Sequence, residues 1–574
     1  MTRRALTLLC FAWLLSSCGQ SDVPPRELSF EALIAGQPVA TPVAYSEYTR
    51  PDFASDASNR FRGRLQLAAE NQENFFDLQL DSLGIATAER PDINELPGFD
   101  FEFVQDGKYL VPVTVGPVVN DHGWWEYVFS TGSVWDEPND QGWSRAAIPF
   151  ALKELREDCI HNGAMSFLFH DNGSVSSVAF QIVNQTCSYM KFEMSGSLAA
   201  RYIPGPIADE DALLEAARNH RASRIPTRAI EQIVNIYPGA EVASIGSAEE
   251  IAPANMSTYG LLIDGVHYAS ECQTPYGNYP YCNDMALPSY STAKSVVGGL
   301  GLMLLENDYP GAKREFIADL VPECGEGWED VTIEHALDMT TGHFESPDMH
   351  GDEDAATLGR FFAEDHAGKI DVACNVFPRK AEPGTHLSYH TWDTYLAGTA
   401  MNYFLRSQRG SDADFFDDLV VAKLWQPLSL SRMAANTRRS YDAMQQPYTG
   451  FGLTLLRDDV VKLARFIGVR DGRLDDEPLL DRNLFDAIKQ RNPEDRGLVA
   501  ELDSIRYNNG FRSFDVSSYL ECKEPAWVVV LSGFGGIIVA IMPNDTAYYY
   551  FSDGGVHRYL TAVRESHRIQ PMCE

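Results

Sequence analysis

The sequence predicts a two-part α+β protein: a β-rich, sandwich-like region, then a mixed domain whose antiparallel sheet is built from both of its ends. Three observations predict it. Residues 46–210 carry alternating or β-branched runs such as "RFRGRLQLAA", "SVSSVAFQIV" and "KFEMSGSLAARY", parted by Gly, Asn and Asp clusters. Residues 225–574 open on a strand pattern, "TYGLLIDGVHYAS", and close on "PAWVVVLSG", "GIIVAIMP", "TAYYYFSD" and a terminal helix, "VHRYLTAVRESH". Between these ends the apolar spacing is helical, which predicts an inserted helical subdomain.

The elements follow in chain order. Arg3 and Arg4 precede an apolar stretch over residues 5–15, too short for a membrane span and suited to an export signal over residues 1–17. "LSSC" ending at Cys18 resembles a bacterial lipobox, which implies lipid attachment at Cys18 and a place on the cell envelope, on the periplasmic or outer-membrane face. Residues 18–45, rich in Pro, Ala and polar side chains, are expected to be a tether. Within the β region, "AAIPFALKELRED" is the one helix-like stretch. Nearby stand Trp124, Trp125, Trp135 and Trp143. Buried, they fill a core; exposed, they would stack on a glycan or another polymer. "IPGPIADEDALLEAARNHRA" then marks the boundary with a Pro-Gly turn, an acidic helix start and a helix.

Composition excludes some partners. The chain has 574 residues, 46 basic and 81 acidic, for a net charge of −35. That disfavours nucleic acid and any electrostatic grip on anionic lipid. Of ten cysteines, eight remain after Cys10 and Cys18 are set aside. They fall as neighbours: Cys159 with Cys187, Cys272 with Cys282, Cys324 with Cys374, and Cys522 with Cys573. Export makes disulfides the expected use, although eight cysteines allow about a hundred pairings. No paired CxxC and no HExxH motif occurs, so no metal or other cofactor is expected. "DMHGDEDAAT" at residues 348–357 lacks the spacing of an EF-hand and is expected to be a solvated acidic loop.

The chemistry points to "LPSYSTAKSVVGG". Ser-x-x-Lys occurs twice, at Ser188–Lys191 and Ser291–Lys294. The first copy lies in an alternating run, where residues three apart face opposite sides. The second heads a helical pattern through Val296, Val297, Leu300, Met303 and Leu304, with Pro288 and Ser289 as start signals. On a helix, residues three apart share a face. Ser291 then sits in the first turn, near free backbone N–H groups, with Lys294 one turn on. That is the geometry of an activated nucleophile.

Downstream stretches give this serine its company. "VTIEHALDMTTGH" at 331–343, "EPGTHLSYHTWDTYLAG" at 382–398, "YTGFGLTLLRDDVVKLARF" at 448–466 and "VVLSGFGGIIVAIMP" at 529–543 resemble, in order, motifs of the serine β-lactamase and penicillin-binding-protein family. The resemblance is to class C β-lactamases, family VIII esterases and 6-aminohexanoate-dimer hydrolases. It implies a β-lactamase-like fold over residues 225–574 and an acyl-enzyme reaction. By position, it implies Ser291 as nucleophile, Lys294 as its proton partner and Tyr389 as the acid/base. The N–H groups of Ser291 and Phe534 would form the oxyanion hole, with Thr391, Ser532 and Gly533 against the substrate. Tyr-x-Asn also matches at Tyr276, Tyr281 and Tyr507, which lack these flanks.

The chain departs from the family twice. Thr391 stands where Asn is usual, offering one hydroxyl in place of two amide functions. Leu531-Ser532-Gly533 replaces Lys-Thr-Gly or His-x-Gly, and Leu531 cannot grip a substrate carboxylate. The expected partner is therefore an ester or amide without an essential carboxylate there. A β-lactamase or D-Ala-type peptidase, and a decayed binding lipoprotein, stay open as alternatives. His390 is a second candidate base.

Overall fold

The structure is a computed structural model describing residues 26–573, apart from residues 38, 69–71, 73, 87–90 and 363–364. The export signal and Cys18 lie outside the described residues. From Arg26 on, the segment expected to be a tether is packed. Its helix Phe30–Ala35 is capped by Ser29, and Leu28, Leu33, Val39 and Tyr45 are buried against Ala164, Leu168 and Ala179. Apolar residues interleaved with the polar ones provide that anchor.

The β-rich region is one sheet of short strands. They are β1 (Arg62–Leu67), β2 (Phe75–Asp81), β3 (Phe99–Asp106), β4 (Tyr109–Pro112), β5 (Trp125–Phe129) and β6 (Gly132–Asp136). Then come β7 (Ser144–Glu154), β8 (Ile160–Phe169), β9 (Val178–Gln185), β10 (Met190–Leu198) and β11 (Ala200–Pro204). All pairs are antiparallel and mostly sequential. β1 pairs with β11 and β3, while β10 pairs with β2 and β9. Only Ala199 separates β10 from β11, so the path returns to its start. The sandwich-like layers are thus one sheet rolled around one core, a barrel closed through the continuous β10–β11 segment, with β2 paired on β10 alone. Phe61, Phe103, Trp125, Phe129, Phe167 and Phe180 fill it, each contributing about 1.5–3 kcal/mol by burial. Trp124 and Trp135 are also buried, and Trp143 packs between Phe30 and His170. Trp124, Trp125 and Trp135 therefore fill the core, and Trp143 is partly buried.

The helix-like stretch "AAIPFALKELRED" is instead β7. Every residue of β7 is buried, because one face fills the barrel and the other meets the second domain. With both faces covered, the alternation that signals a strand disappears. Pro149 sits mid-strand without an N–H to donate. The partner chain breaks there into β5 and β6, leaving only Ser130 N–H to the Pro149 carbonyl at 3.2 Å.

The second domain has the arrangement expected of it. Its nine-stranded sheet runs from Thr227–Ala229 through Met256–Ile263 and Ala547–Ser552 to Leu498–Val499. Met256–Ile263 from the start pairs antiparallel with Ala547–Ser552 from the end. The helices between are inserted, and Leu560–Ile569 closes the chain. The four neighbour disulfides all form. They fit an extracellular or periplasmic protein. Among the described residues no helix is long and apolar enough to cross a membrane.

The two domains share a buried polar seam. Lys153 and Asp158, at the β7–β8 turn, form a fully buried 2.7 Å ion pair. Lys153 Nζ donates to Gly452 O at 3.2 Å and Thr454 Oγ1 at 3.2 Å. Asp158 Oδ2 accepts from Ser289 Oγ at 3.1 Å, Tyr290 N–H at 2.8 Å and Gly452 N–H at 3.0 Å. Burial weighs against the carboxylate, but Lys153 and the Gly452 amide hold Asp158 below its ordinary value. Burial also draws the Lys153 ammonium down, against the pull of Asp158. The short contact and the amide donors favour the charged pair. Lys153→Met strands a buried carboxylate and is expected to cost about 3–5 kcal/mol, read as a lower urea midpoint. Arg60→Met, at an exposed pair with Glu210, should change stability by less than about 1 kcal/mol. Equal shifts in the two variants would rule out this role for the buried pair.

Candidate active site

Ser291 sits half-buried at the head of the helical stretch, directly after Tyr290. Tyr290 holds a left-handed backbone, φ 40°, which costs a non-glycine residue about 1 kcal/mol or more. The Asp158 bond to its N–H helps hold it there. From Lys294 to Gly299 the chain winds as a wide π-helical turn, then continues as Leu300–Asp308. Glycines let it approach its neighbours. A Cβ on Gly299 would lie 2.3 Å from Asn509 O, and one on Gly301 2.3 Å from the Phe415 ring.

The predicted pair meets. Lys294 is 1% exposed, and its Nζ donates to Ser291 Oγ at 3.0 Å, Thr391 Oγ1 at 3.0 Å and Gly450 O at 3.3 Å. Thr391 thus holds the lysine through its single hydroxyl. Tyr389 presents its ring face to the lysine, with Nζ 5.0 Å from the centroid. The other Ser-x-x-Lys copy is structural. Ser188 lies in the bend before β10, not within a strand, and Lys191 pairs with Asp553 at 2.7 Å.

The other tyrosines are elsewhere. Tyr276 bonds Glu193 and Tyr281 bonds the Tyr48 carbonyl, both across the domain boundary. Tyr507 is buried behind Tyr389, with ring centroids 6.1 Å apart. His390 is no base for Ser291. It is enclosed by Asp352 at 3.0 Å and Asp393 at 3.5 Å. Burial alone would lower its pKa, yet these two carboxylates raise it to about 9, so it is an imidazolium at neutral pH.

Phe534 follows the strand Trp527–Gly533, and its ring lies 5.6 Å from that of Tyr290. Among the described residues neither Ser291 N–H nor Phe534 N–H is spent on a backbone hydrogen bond. His557 Nε2 donates to Gly533 O at 2.9 Å and anchors the peptide leading into Phe534. Ser532 and Gly533 line the cavity, whereas Leu531 is buried in the core.

Three side chains complete the site that motif reading missed. Arg512, on the strand beside Trp527–Gly533, holds its guanidinium 5.1 Å from the Tyr389 ring centroid and pairs with Glu501 at 2.7 Å. Burial opposes that charge, but Tyr389 and Glu501 raise its pKa further. Burial likewise opposes the Glu501 charge, while His350 and Arg512 hold its carboxyl well below the usual range. Glu353 accepts the Thr391 N–H at 2.6 Å and lines the cavity. The loop 348–357 is therefore not simply solvated. Asp352 turns inward to His390, Glu353 to Thr391, and His350 stacks near Tyr389 at 5.0 Å. The spacing within the loop gave no hint of this, because each carboxylate answers a different distant partner.

No protein-family model matches this sequence, and no curated protein matches it. Solved structures similar to part of the chain include a putative 6-aminohexanoate-dimer hydrolase from Bacillus anthracis, 14% identical, with a TM-score of 0.41, covering 55% of this chain and 80% of that one. A putative beta-lactamase from Bacteroides dorei is 14% identical, with a TM-score of 0.39, covering 55% and 94%. A beta-lactamase/D-alanine carboxypeptidase from Pseudomonas syringae is 14% identical, with a TM-score of 0.38 over the same shares.

His390 generates a pH prediction. A free histidine titrates near about 6.5, and His390 in the fold at about 9. Below about 6.5 both states carry the proton and the stabilisation is complete. Between these values the unfolded chain releases its proton while the fold retains it, so the stabilisation shrinks. Above about 9 it is gone. Unfolding free energy should thus fall by on the order of 3 kcal/mol between pH 6 and 9.5, beyond any fall in His390→Gln. Parallel losses in both proteins would contradict the buried imidazolium.

Proposed function

We propose that the chain is an exported serine hydrolase that cleaves ester or amide bonds through an acyl-enzyme on Ser291. The supporting observation is the buried Lys294 Nζ, 3.0 Å from Ser291 Oγ, at the head of a helix and beside Tyr389. Ser291 Oγ attacks the carbonyl carbon as Lys294 takes its proton. The unspent N–H groups of Ser291 and Phe534 receive the oxyanion. The proton passes by way of Tyr389 to the leaving alcohol or amine, and the carbonyl–leaving-group bond breaks. Water, deprotonated by the same pair, then cleaves the ester to Ser291 and restores the hydroxyl. Cys18 would hold the enzyme on the envelope by lipid.

The decayed, binding-only alternative rested on Thr391 and Leu531. Thr391 keeps a hydrogen bond to Lys294, which supports a working pair. Leu531 is in the core, which argues against a β-lactam or peptide carboxylate gripped at that position. A fluorophosphonate probe should label the intact protein and not Ser291→Ala. Lys294→Met should lose about a thousandfold in kcat/KM on a p-nitrophenyl ester. Nitrocefin should be turned over far more slowly than that ester. An unlabelled intact protein would falsify the hydrolase reading, and faster nitrocefin hydrolysis would restore the β-lactamase alternative.

A further inference from the structure

The cavity at Ser291 has two unlike lobes. The larger, about 660 Å³, is lined by Tyr389, Arg512, Glu501, His350 and Ser532. The smaller, about 290 Å³, lies between the two domains. Its walls include Leu83 and Tyr189 from the barrel, with Tyr290, Leu358, Phe362 and Phe451 from the second domain. Ser291, Glu353 and Phe534 border both. The walls are braced: the Tyr189 hydroxyl is bonded to Glu154, and Phe451 packs 5.6 Å from Phe362 and 5.0 Å from Tyr448.

We propose that the barrel builds one wall of an acyl subsite, and that the substrate is an ester or amide of a largely apolar acid of medium length that carries no second carboxylate. This rests on the hydrolase reading above. The direction of binding follows from Tyr389, which lines only the larger lobe. The residue that protonates the leaving group must face it, so the alcohol or amine part occupies the larger, polar lobe. The acyl part is left with the smaller one. At about 30 Å³ per water-sized group, that lobe holds roughly eight to ten heavy atoms. Its lining carries Glu157, Asp158 and Glu353 and, among the described residues, no lysine or arginine. A tail ending in a carboxylate would be desolvated against like charge there.

The test uses the full chain and p-nitrophenyl esters of acetate, hexanoate, octanoate, palmitate and mono-adipate. Each methylene buried adds up to about 0.8 kcal/mol, so kcat/KM should rise at least about tenfold from acetate to hexanoate or octanoate. It should fall again for palmitate, and mono-adipate should lie at least about tenfold below hexanoate. Leu83→Trp, in an exposed turn of the barrel, should lower the octanoate-to-acetate ratio of kcat/KM at least about fivefold. Fluorophosphonate labelling of each sample separates the two readings. Normal labelling with a flat chain-length profile, or with an unaltered Leu83→Trp profile, overturns the acyl subsite alone. No labelling and no hydrolysis of any ester overturns both.

Discussion

The Lys153–Asp158 ion pair is the contact on which the site depends. It is fully buried and belongs to the barrel, yet it is bonded to Gly452, Thr454, Ser289 and Tyr290 of the second domain. Asp158 binds the residues just before Ser291, and Lys153 binds the segment Gly452–Thr454. Those two segments also pair as short strands, Leu287–Pro288 with Thr454–Leu455. Two residues before Gly452, the Gly450 carbonyl accepts from Lys294 Nζ. One ion pair therefore braces both approaches to the nucleophile and its lysine. A buried pair is a poor source of net stability, since desolvation consumes most of its attraction. Its worth lies in geometry, because a charge sealed in that seam must find these particular donors and acceptors.

Charge compensation also explains how the polar groups of the cavity form a coherent site. Leu531 turns into the core, and Arg512 brings a cation to the cavity on the neighbouring strand. Glu501 neutralises Arg512, so the cavity gains polarity without an unpaired charge. Behind Tyr389, His390 is paired twice, which fixes the stretch between the tyrosine and Thr391 from its buried side. Glu353 fixes the same stretch from the cavity side through the Thr391 amide. Tyr389 and Thr391 thus keep their places by a set of local ionic contacts.

Much of the catalytic domain was legible because helical phase is a local property. Ser291 and Lys294 share a face by spacing alone, and the flanks of Tyr389 distinguish it from Tyr276, Tyr281 and Tyr507. The four disulfides followed from nearness in the chain. What escaped reading was set by distant partners. β7 lost its alternation because a second domain covers its outer face, and "ALKEL" suits a helix as well as a strand. Barrel closure depends on registers between β1 and β11, some 140 residues apart, which no local pattern encodes. Asp352 and Glu353 resembled a solvated acidic run because nothing local signals that His390 and the Thr391 amide await them.

The barrel is therefore part of the Ser291 site. Its β7 and β8 are buried on both faces, a condition usual for strands inside a domain and unusual for those at the joint of two. Inter-domain joints in one chain are commonly polar and mobile. This one combines a shared apolar cluster with ionic and amide contacts directed at the nucleophile turn. A mobile joint would vary the Tyr290 backbone and the width of the smaller lobe together, because Asp158 touches one and Leu83 and Tyr189 wall the other. Rigid docking couples them: the strained turn that aims Ser291 and the pocket that receives the acyl group are held by the same few barrel residues.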